Sequence, residues 1–486
     1  MYFIRVYYSL RKGIFISFVA VVLGSCASGN GSEGTDNGDL QLAAGVTGDT
    51  PVTGAVTDTV TCASDNSQSY AVYLPSYYKA DKQYPCIFFY DSHARGSLPV
   101  RTYKGVAEKY GFVLVGSNVS KNGMAWETTD GIVKVLQKDV NARISLDPKR
   151  IYASGFSGGA RVASLIAMTN GGIAGVIGCS AGFPQVRQAV EHKFDFVGIV
   201  GNYDFNLTEM GQLDEHLQRN GYSHLMLTFD GIHKWPAPGE FETALLWMQV
   251  NAIKENVQPA NDTLVHSLKT DLDKRIVAAK TAGDVLTEQR LLDCAIKILD
   301  GITDVSAYQQ QLATLLNGAA YKQAVALQAQ LLQQEVTMRQ ELAGQFATQD
   351  VPWWIAKIAA LNKNIQTQPL QVSQMNQRVL AYLGYMSYVY TNHSLSSGDI
   401  AGAENYIKVF KTANPQNPDH AYLRAICCMK KGDQAGAVTA LTEAASLGYN
   451  EVAQLRNEPV FDPLHSNDGY NKVAAMVLEN YKKPPL

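Results

Sequence analysis

Residues Gly155-Phe156-Ser157-Gly158-Gly159 constrain this chain more than any other stretch. The residues before them, Arg150 to Ser154, predict a short buried strand, and the small and apolar run Ala160 to Met168 predicts a helix. A strand, Gly-x-Ser-x-Gly and a helix, in that order, require a sharp turn that strains the serine backbone and lifts its Oγ clear of the sheet. Glycines flank such a serine because side chains there would strike the neighbouring strand and helix. The amide of Gly158 then points into the site and is a candidate donor to an oxyanion. The pattern recurs at Gly178-Cys179-Ser180-Ala181-Gly182, also after an apolar run, Ile173 to Ile177. That second copy leads into Phe183, Pro184 and a polar segment in place of a tight helix. Ser157 is therefore the predicted nucleophile, and Ser180 is read as a strand-end residue lining the pocket.

From about residue 59 to residue 255, strand-like and helix-like runs alternate. Strands are predicted at Tyr70–Leu74, Tyr84–Tyr90, Phe112–Ser117, Arg150–Ser154, Ile173–Cys179, Phe194–Val200 and His224–Phe229, with helices between them, such as Asp130–Ile144. This alternation predicts an α/β fold, a mostly parallel sheet covered on both faces, with functional groups at the C-terminal strand ends. A nucleophilic serine needs a base, and the base needs a carboxylate to orient it. Asp204 falls just past the end of the strand Phe194–Val200, and His233 falls on the loop after His224–Phe229. Ser, Asp, His is the chain order that this strand–turn–helix arrangement calls for. His93, His192, His216 and His224 compete, but His192 and His216 lie in polar helix-like runs and His224 opens a strand; His233, in the required order and place, is the predicted base.

Two motifs carry a resemblance. Asp147-Pro148-Lys149-Arg150-Ile151-Tyr152 running into the Ser157 turn, and Gly231-Ile232-His233-Lys234-Trp235-Pro236, are similar to the extracellular feruloyl esterase and polyhydroxybutyrate depolymerase branch of α/β-hydrolases. The resemblance spans roughly residues 70–250. It implies an exported carboxyl-ester hydrolase with Ser157 as nucleophile, His233 as general base and Asp204 as the orienting acid. That branch usually carries His-Gly after its early apolar strand, where a second oxyanion amide resides. Here the loop reads Asp91-Ser92-His93-Ala94-Arg95-Gly96, so the amides of Ser92 and His93 are the candidates. Arg95 is read either as a contact to an acidic substrate group or as a surface ion pair. Trp126 and Trp235 are read either as an aromatic platform for a sugar or phenolic ring or as core. With no long insertion for a lid, the site is expected to be open and able to accept part of a polymer.

After about residue 259 Gly and Pro thin out and the apolar spacing becomes helical. Gly398-Asp399-Ile400-Ala401-Gly402-Ala403 recurs 34 positions later as Gly432-Asp433-Gln434-Ala435-Gly436-Ala437, the period of tetratricopeptide repeats. The segment Leu455 to Leu464 resembles the closing segment of bacterial tetratricopeptide lipoproteins. This predicts an all-α, tetratricopeptide-like half that either binds a protein partner on a concave surface or braces the catalytic half.

The N-terminus reads as a targeting segment. Arg5, Arg11 and Lys12 precede the apolar Gly13–Leu23, and Leu23-Gly24-Ser25-Cys26 closes it with small residues before a cysteine. This resembles a bacterial lipoprotein signal, which implies a lipidated Cys26 and an anchor in the cell envelope, with the outer membrane as the expected site. Asn30–Gly48 is too poor in large apolar groups to fold and reads as a tether. The expected layout is a signal over 1–25, a tether over 26–58, the α/β part over 59–257 and the helical part over 258–486. A net charge of −3 without a basic stripe argues against nucleic acid as a partner. The nine histidines and seven cysteines show no metal-binding spacing, so no metal and no cofactor is expected. Two other readings stay open: a serine peptidase on the same fold, and a non-catalytic interaction protein acting through its helices.

Overall fold

A computed structural model describes residues 51–184 and 192–483, so the expected signal, Cys26 and most of the tether lie outside the described residues. The described residues all fall within one compact unit.

The first part alternates as expected. β1 (Val56–Cys62), β2 (Asp65–Tyr73) and β3 (Tyr84–Asp91) lead into α1 (Ser97–Tyr110), β4 (Val113–Ser117) and α2 (Trp126–Arg143). Then come β5 (Leu146–Phe156), α3 (Gly158–Thr169), β6 (Gly175–Cys179), β7 (Asp195–Gly201), α4 (Leu207–Arg219), β8 (His224–Phe229) and α5 (Pro238–Lys254). The eight strands form one sheet in the order β1-β2-β4-β3-β5-β6-β7-β8. β1–β2 and β2–β4 are antiparallel, and every other pair is parallel. This is the strand order of an α/β-hydrolase sheet. β3, β4 and β6 are buried at every position, as strands covered on both faces must be. β1 starts at Val56, inside the stretch read as tether, because Val56, Thr57, Val60 and Cys62 can line the edge of β2.

Two apolar cores cover the two faces. One joins Val60, Tyr70, Phe88, Val133, Ile166 and Phe196. The other starts at Ile87, Phe89, Tyr103 and Leu245 and runs on without a break into Leu268, Leu292 and Tyr308 of the helical part. The helical part therefore shares a core with the sheet.

That part consists of α6 (Asp262–Ala282), α7 (Val285–Leu299), α8 (Ser306–Asn317), α9 (Ala319–Gln345), α10 (Val351–Thr367), α11 (Leu370–Ser397), α12 (Ile400–Ala413), α13 (Asp419–Lys430), α14 (Gln434–Ser446), the short α15 (Val452–Asn457) and α16 (Asp468–Lys482). The two copies of the Gly-Asp motif have the same local structure. Gly398 and Gly432 end α11 and the α13 turn in the left-handed region, at φ 81° and 78°. Asp399 and Asp433 then cap the next helix, accepting from the amides of Gly402 at 2.9 Å and Gly436 at 2.8 Å. Asp399→Ala and Asp433→Ala should each lower stability by about 1 kcal/mol. Urea midpoints should fall for both, and an unchanged midpoint would mean that neighbouring turns hold these helix starts without the caps.

Candidate active site

The serine turn forms as its residues demand. β5 ends at Phe156 and α3 starts at Gly158, and Ser157 between them has φ 54° and ψ −120°. That conformation costs a non-glycine residue on the order of 1–3 kcal/mol. It is held by Ser157 N–H donating to the Cys179 carbonyl at 2.9 Å and by the Ser157 carbonyl accepting from Ala160 at 3.1 Å. A side chain at Gly155 would run into the Gly159 backbone, so glycine is required there.

The loops after β7 and β8 are joined by their backbones. Asn202 N–H donates to Phe229 O at 2.9 Å and Tyr203 N–H to Gly231 O at 3.0 Å. Gly201 lies so close to the Gly231 carbonyl that a Cβ has no room. This brings Asp204 and His233 together although neither strand end alone would do so. Asp204 is fully buried, and its Oδ1 accepts from the Asn206 amide at 2.8 Å. His233 Nδ1 lies 2.9 and 3.0 Å from the two Asp204 carboxylate oxygens, and Nε2 lies 3.1 Å from Ser157 Oγ. With the Nδ1 proton donated to the carboxylate, Nε2 is left to accept from the serine hydroxyl. The imidazole is packed between the Phe156 ring at 4.7 Å and the Phe205 ring at 4.3 Å. Ser157, Asp204 and His233 thus meet in one hydrogen-bonded chain. Ser180 takes a different place: it is fully buried, its Oγ has no partner, and its carbonyl accepts from the Asn206 side chain at 2.7 Å.

Gly158 opens α3, where a helix amide has no intrahelical acceptor and carries partial positive charge. The Asn122 carboxamide lies directly against Gly158. The Asn122 backbone is fixed by its N–H donating to Ser92 O at 2.9 Å. Sequence reasoning missed Asn122, which sits in an unremarkable polar loop with no motif to mark it.

The loop after β3 departs from expectation. The His93 amide donates to Asp91 Oδ1 at 2.9 Å, which removes it as an oxyanion donor in this arrangement. Arg95 forks the buried Asp91 through Nε at 2.8 Å and Nη2 at 3.1 Å, so it is an ion-pair residue and not a free substrate contact. Burial alone would raise the Asp91 pKa, but the Arg95 guanidinium, together with His93 and the Trp235 hydrogen bond, outweighs it and holds the carboxyl below the usual range. Trp235 is corrected likewise: it is 8 % exposed, donates Nε1 to Asp91 Oδ2 at 2.8 Å and meets Phe89 and Tyr103 edge-on. It is core. Trp126 is half-buried at the start of α2 and packs on the core of the second face.

The helical part reaches this end of the sheet, and the expected open site is partly walled. Arg378 of α11 donates to Asn202 O at 2.9 Å, and Arg339 of α9 donates to Phe205 O at 2.7 Å. Both arginines pair with Glu335, which has no exposed surface. The Tyr385 ring stacks on Phe205 at 5.1 Å and 19°. On the other side Glu451 binds His93 Nδ1 at 2.6 Å. Burial opposes charge on His93, but the Glu451 carboxylate outweighs it and raises the His93 pKa. Tyr481 OH and Ser97 Oγ are 2.7 Å apart. Ser157 and His233 remain partly exposed.

No family model matches the chain, and no curated protein matches it. Solved structures similar to part of it include an S-formylglutathione hydrolase from Staphylococcus aureus, with 16% identity over 37% of this chain and 90% of that one and a TM-score of 0.32. A ferulic acid esterase gives 18% identity over 39% and 94%, with a TM-score of 0.33. A ferulic acid esterase from the anaerobic fungus Anaeromyces mucronatus gives 17% over 37% and 85%, with a TM-score of 0.30.

Proposed function

We propose that this chain is a serine hydrolase that cleaves carboxyl esters through an acyl-enzyme on Ser157. The observation that carries the reading is the hydrogen-bonded chain Asp204–His233–Ser157 at the C-terminal ends of parallel strands. In the first step Ser157 Oγ bonds to the ester carbon while His233 Nε2 takes its proton. The negative charge that develops on the carbonyl oxygen is met by the Gly158 amide, with the Ser92 amide as the candidate for a second donor. Collapse breaks the bond to the alcohol oxygen, which leaves with the proton from His233. Water, deprotonated by His233, then attacks the acyl carbon; the bond from that carbon to Ser157 Oγ breaks, His233 returns the proton to Oγ, and the acid is released. Asp204 keeps the imidazole in the tautomer that this requires and stabilises the imidazolium.

The finer reading is an envelope protein, anchored in the outer membrane through a lipidated Cys26 and acting on feruloyl- or acetyl-type esters of polysaccharide or a similar polymer. It is supported by the signal-like Arg5–Cys26 segment and by the two motifs around Ser157 and His233. The test is labelling of the full chain in detergent with a fluorophosphonate probe. Ser157→Ala should abolish labelling and Ser180→Ala should keep it. Labelling that survives Ser157→Ala, or none in the wild-type chain, would sink the reading. Aryl esters assayed beside peptide anilides separate esterase from peptidase, with faster ester turnover expected.

A further inference from the structure

We propose that the helical part completes the substrate site, with Tyr385 as a platform for a hydroxyl-bearing six-membered ring of the ester. This rests on the hydrolase reading above and names a subsite of that same site.

The placement follows from α11. Arg378 and Tyr385 lie on this helix seven residues, or about two turns, apart, which puts them on one face. Arg378 is fixed to the Asn202 carbonyl, beside the triad loop, so the same face presents Tyr385 to that loop. The result is a ladder of rings. His233 meets Phe205 at 4.3 Å, and Phe205 meets Tyr385 at 5.1 Å. The inner rungs are partly buried, yet Tyr385 is 48% exposed. A tyrosine held on one side by a stacked ring and open on another is a low-entropy surface for a further ring. Ile232, next to His233 in the chain, is 58% exposed and adds apolar surface beside the base. Polar partners are also near: Arg161 and Glu209, paired at 2.8 Å and each about one third exposed, lie close to Tyr385. Aromatic surface with hydrogen-bonding groups beside it suits a hydroxylated six-membered ring. Such a ring can come from a phenolic acyl group or from a pyranose sugar whose hydroxyl carries the ester. A platform role, one of the two readings of Trp126 and Trp235 in the sequence, is assigned here to a residue roughly 150 positions downstream of Trp235 in the chain.

The test compares Tyr385→Ala, Tyr385→Trp and the wild type in the full chain on two substrate pairs. Methyl 4-hydroxycinnamate against methyl hexanoate probes the acyl side, and acetylated xylotriose against ethyl acetate probes the alcohol side. Tyr385→Ala should raise KM about tenfold, the size of one good aromatic contact, for the ring-bearing member of one pair. Its kcat should stay within about twofold, and the ringless members should be unchanged. Tyr385→Trp should keep KM near wild type. The pair that responds identifies the source of the ring. An equal loss of kcat on all four substrates would overturn the proposal, because Tyr385 would then act only as a wedge behind Phe205. So would an unchanged KM throughout. Calorimetric binding of 4-hydroxycinnamate and xylotriose to Ser157→Ala, with and without Tyr385→Ala, needs no turnover. Binding lost with Tyr385 supports the platform even if the hydrolase reading fails, and no binding of either ligand while Tyr385 is present overturns it.

Discussion

Asp204→Asn should lower kcat on a simple aryl ester by about 10⁴ while leaving the fold intact. The asparagine has the shape of the aspartate and can still accept from the Asn206 amide, as Oδ1 does now at 2.8 Å. What changes is the direction of the bond to His233. The carboxylate accepts from Nδ1–H through both oxygens, at 2.9 and 3.0 Å. A carboxamide can turn its NH₂ toward Nδ1, and the imidazole proton then moves to Nε2. Nε2 in that tautomer donates toward Ser157 and cannot take its proton. Ser157 stays in place, because its strained backbone is held by Cys179 and Ala160 and not by the triad. Thermal melting should therefore match the wild type. A fall of less than about tenfold would mean that another group orients His233.

The residues in that prediction were legible in the sequence because each sits at the end of a strand that is itself legible. β5 closes on a buried run from Tyr152 to Phe156, and β7 and β8 are largely apolar and mostly buried runs bounded by turns. Each ends at one side of the sheet, so a residue just past a strand end is placed once the strand is. The edge was harder. β1 alternates Val-Thr-Asp-Thr-Val-Thr-Cys beside a polar, Gly-rich stretch, and half of it faces away from the core, so its first three residues read as tether and the rest carries no strand signal. In the helical part the repeated Gly-Asp caps were legible because a left-handed glycine and an Asp cap leave the same local mark each time. The same mark stands between α6 and α7, where Gly283 is left-handed at φ 67° and Asp284 caps α7 by accepting from Thr287 N–H at 3.1 Å, but the residues around it do not repeat, so no repeat could be counted over residues 260–375.

The contacts between the two parts left no trace in local pattern. Arg378 and Asn202 are 176 residues apart, and Arg339 and Phe205 are 134 apart. Nothing in Glu335, Arg339 or Arg378 distinguishes them in sequence from the ion pairs that stud any helix surface. Only the buried position of Glu335 shows that they belong to the site. The same holds for Arg95, whose partner Asp91 is close in sequence but whose second neighbour, Glu451, is not. The choice between a helical half that braces the site and one that binds a partner was open in the sequence for this reason. The geometry favours bracing, since the loop of Asp204 is gripped on one side and the loop of His93 on the other.

That grip can be broken at one residue. Glu335→Ala should destabilise the protein by about 3–5 kcal/mol, the cost of leaving a buried ion pair without one member. Arg378 is 6 % exposed and Arg339 also lies largely inside, and Glu335 is the carboxylate paired with both. With it gone, the two guanidinium groups face each other uncompensated and must turn toward water. Turning would release the Asn202 and Phe205 carbonyls on either side of Asp204 and loosen the Phe205 ring against His233. Fluorophosphonate labelling, measured well below the melting temperature, should therefore slow as well. Glu335→Gln separates the two effects. It keeps the shape and an acceptor oxygen but loses the charge, so it should fall between wild type and alanine in urea unfolding and label at close to the wild-type rate. Arg378→Met and Arg339→Met with Glu335→Ala complete the test, because removing all three charges takes away the unpaired ions. The triple variant should recover most of the lost stability but not the labelling rate, since no donor then holds the two carbonyls. Stability and labelling that recover together would show that the arginines serve only to balance Glu335, and that the triad loop keeps its shape unaided.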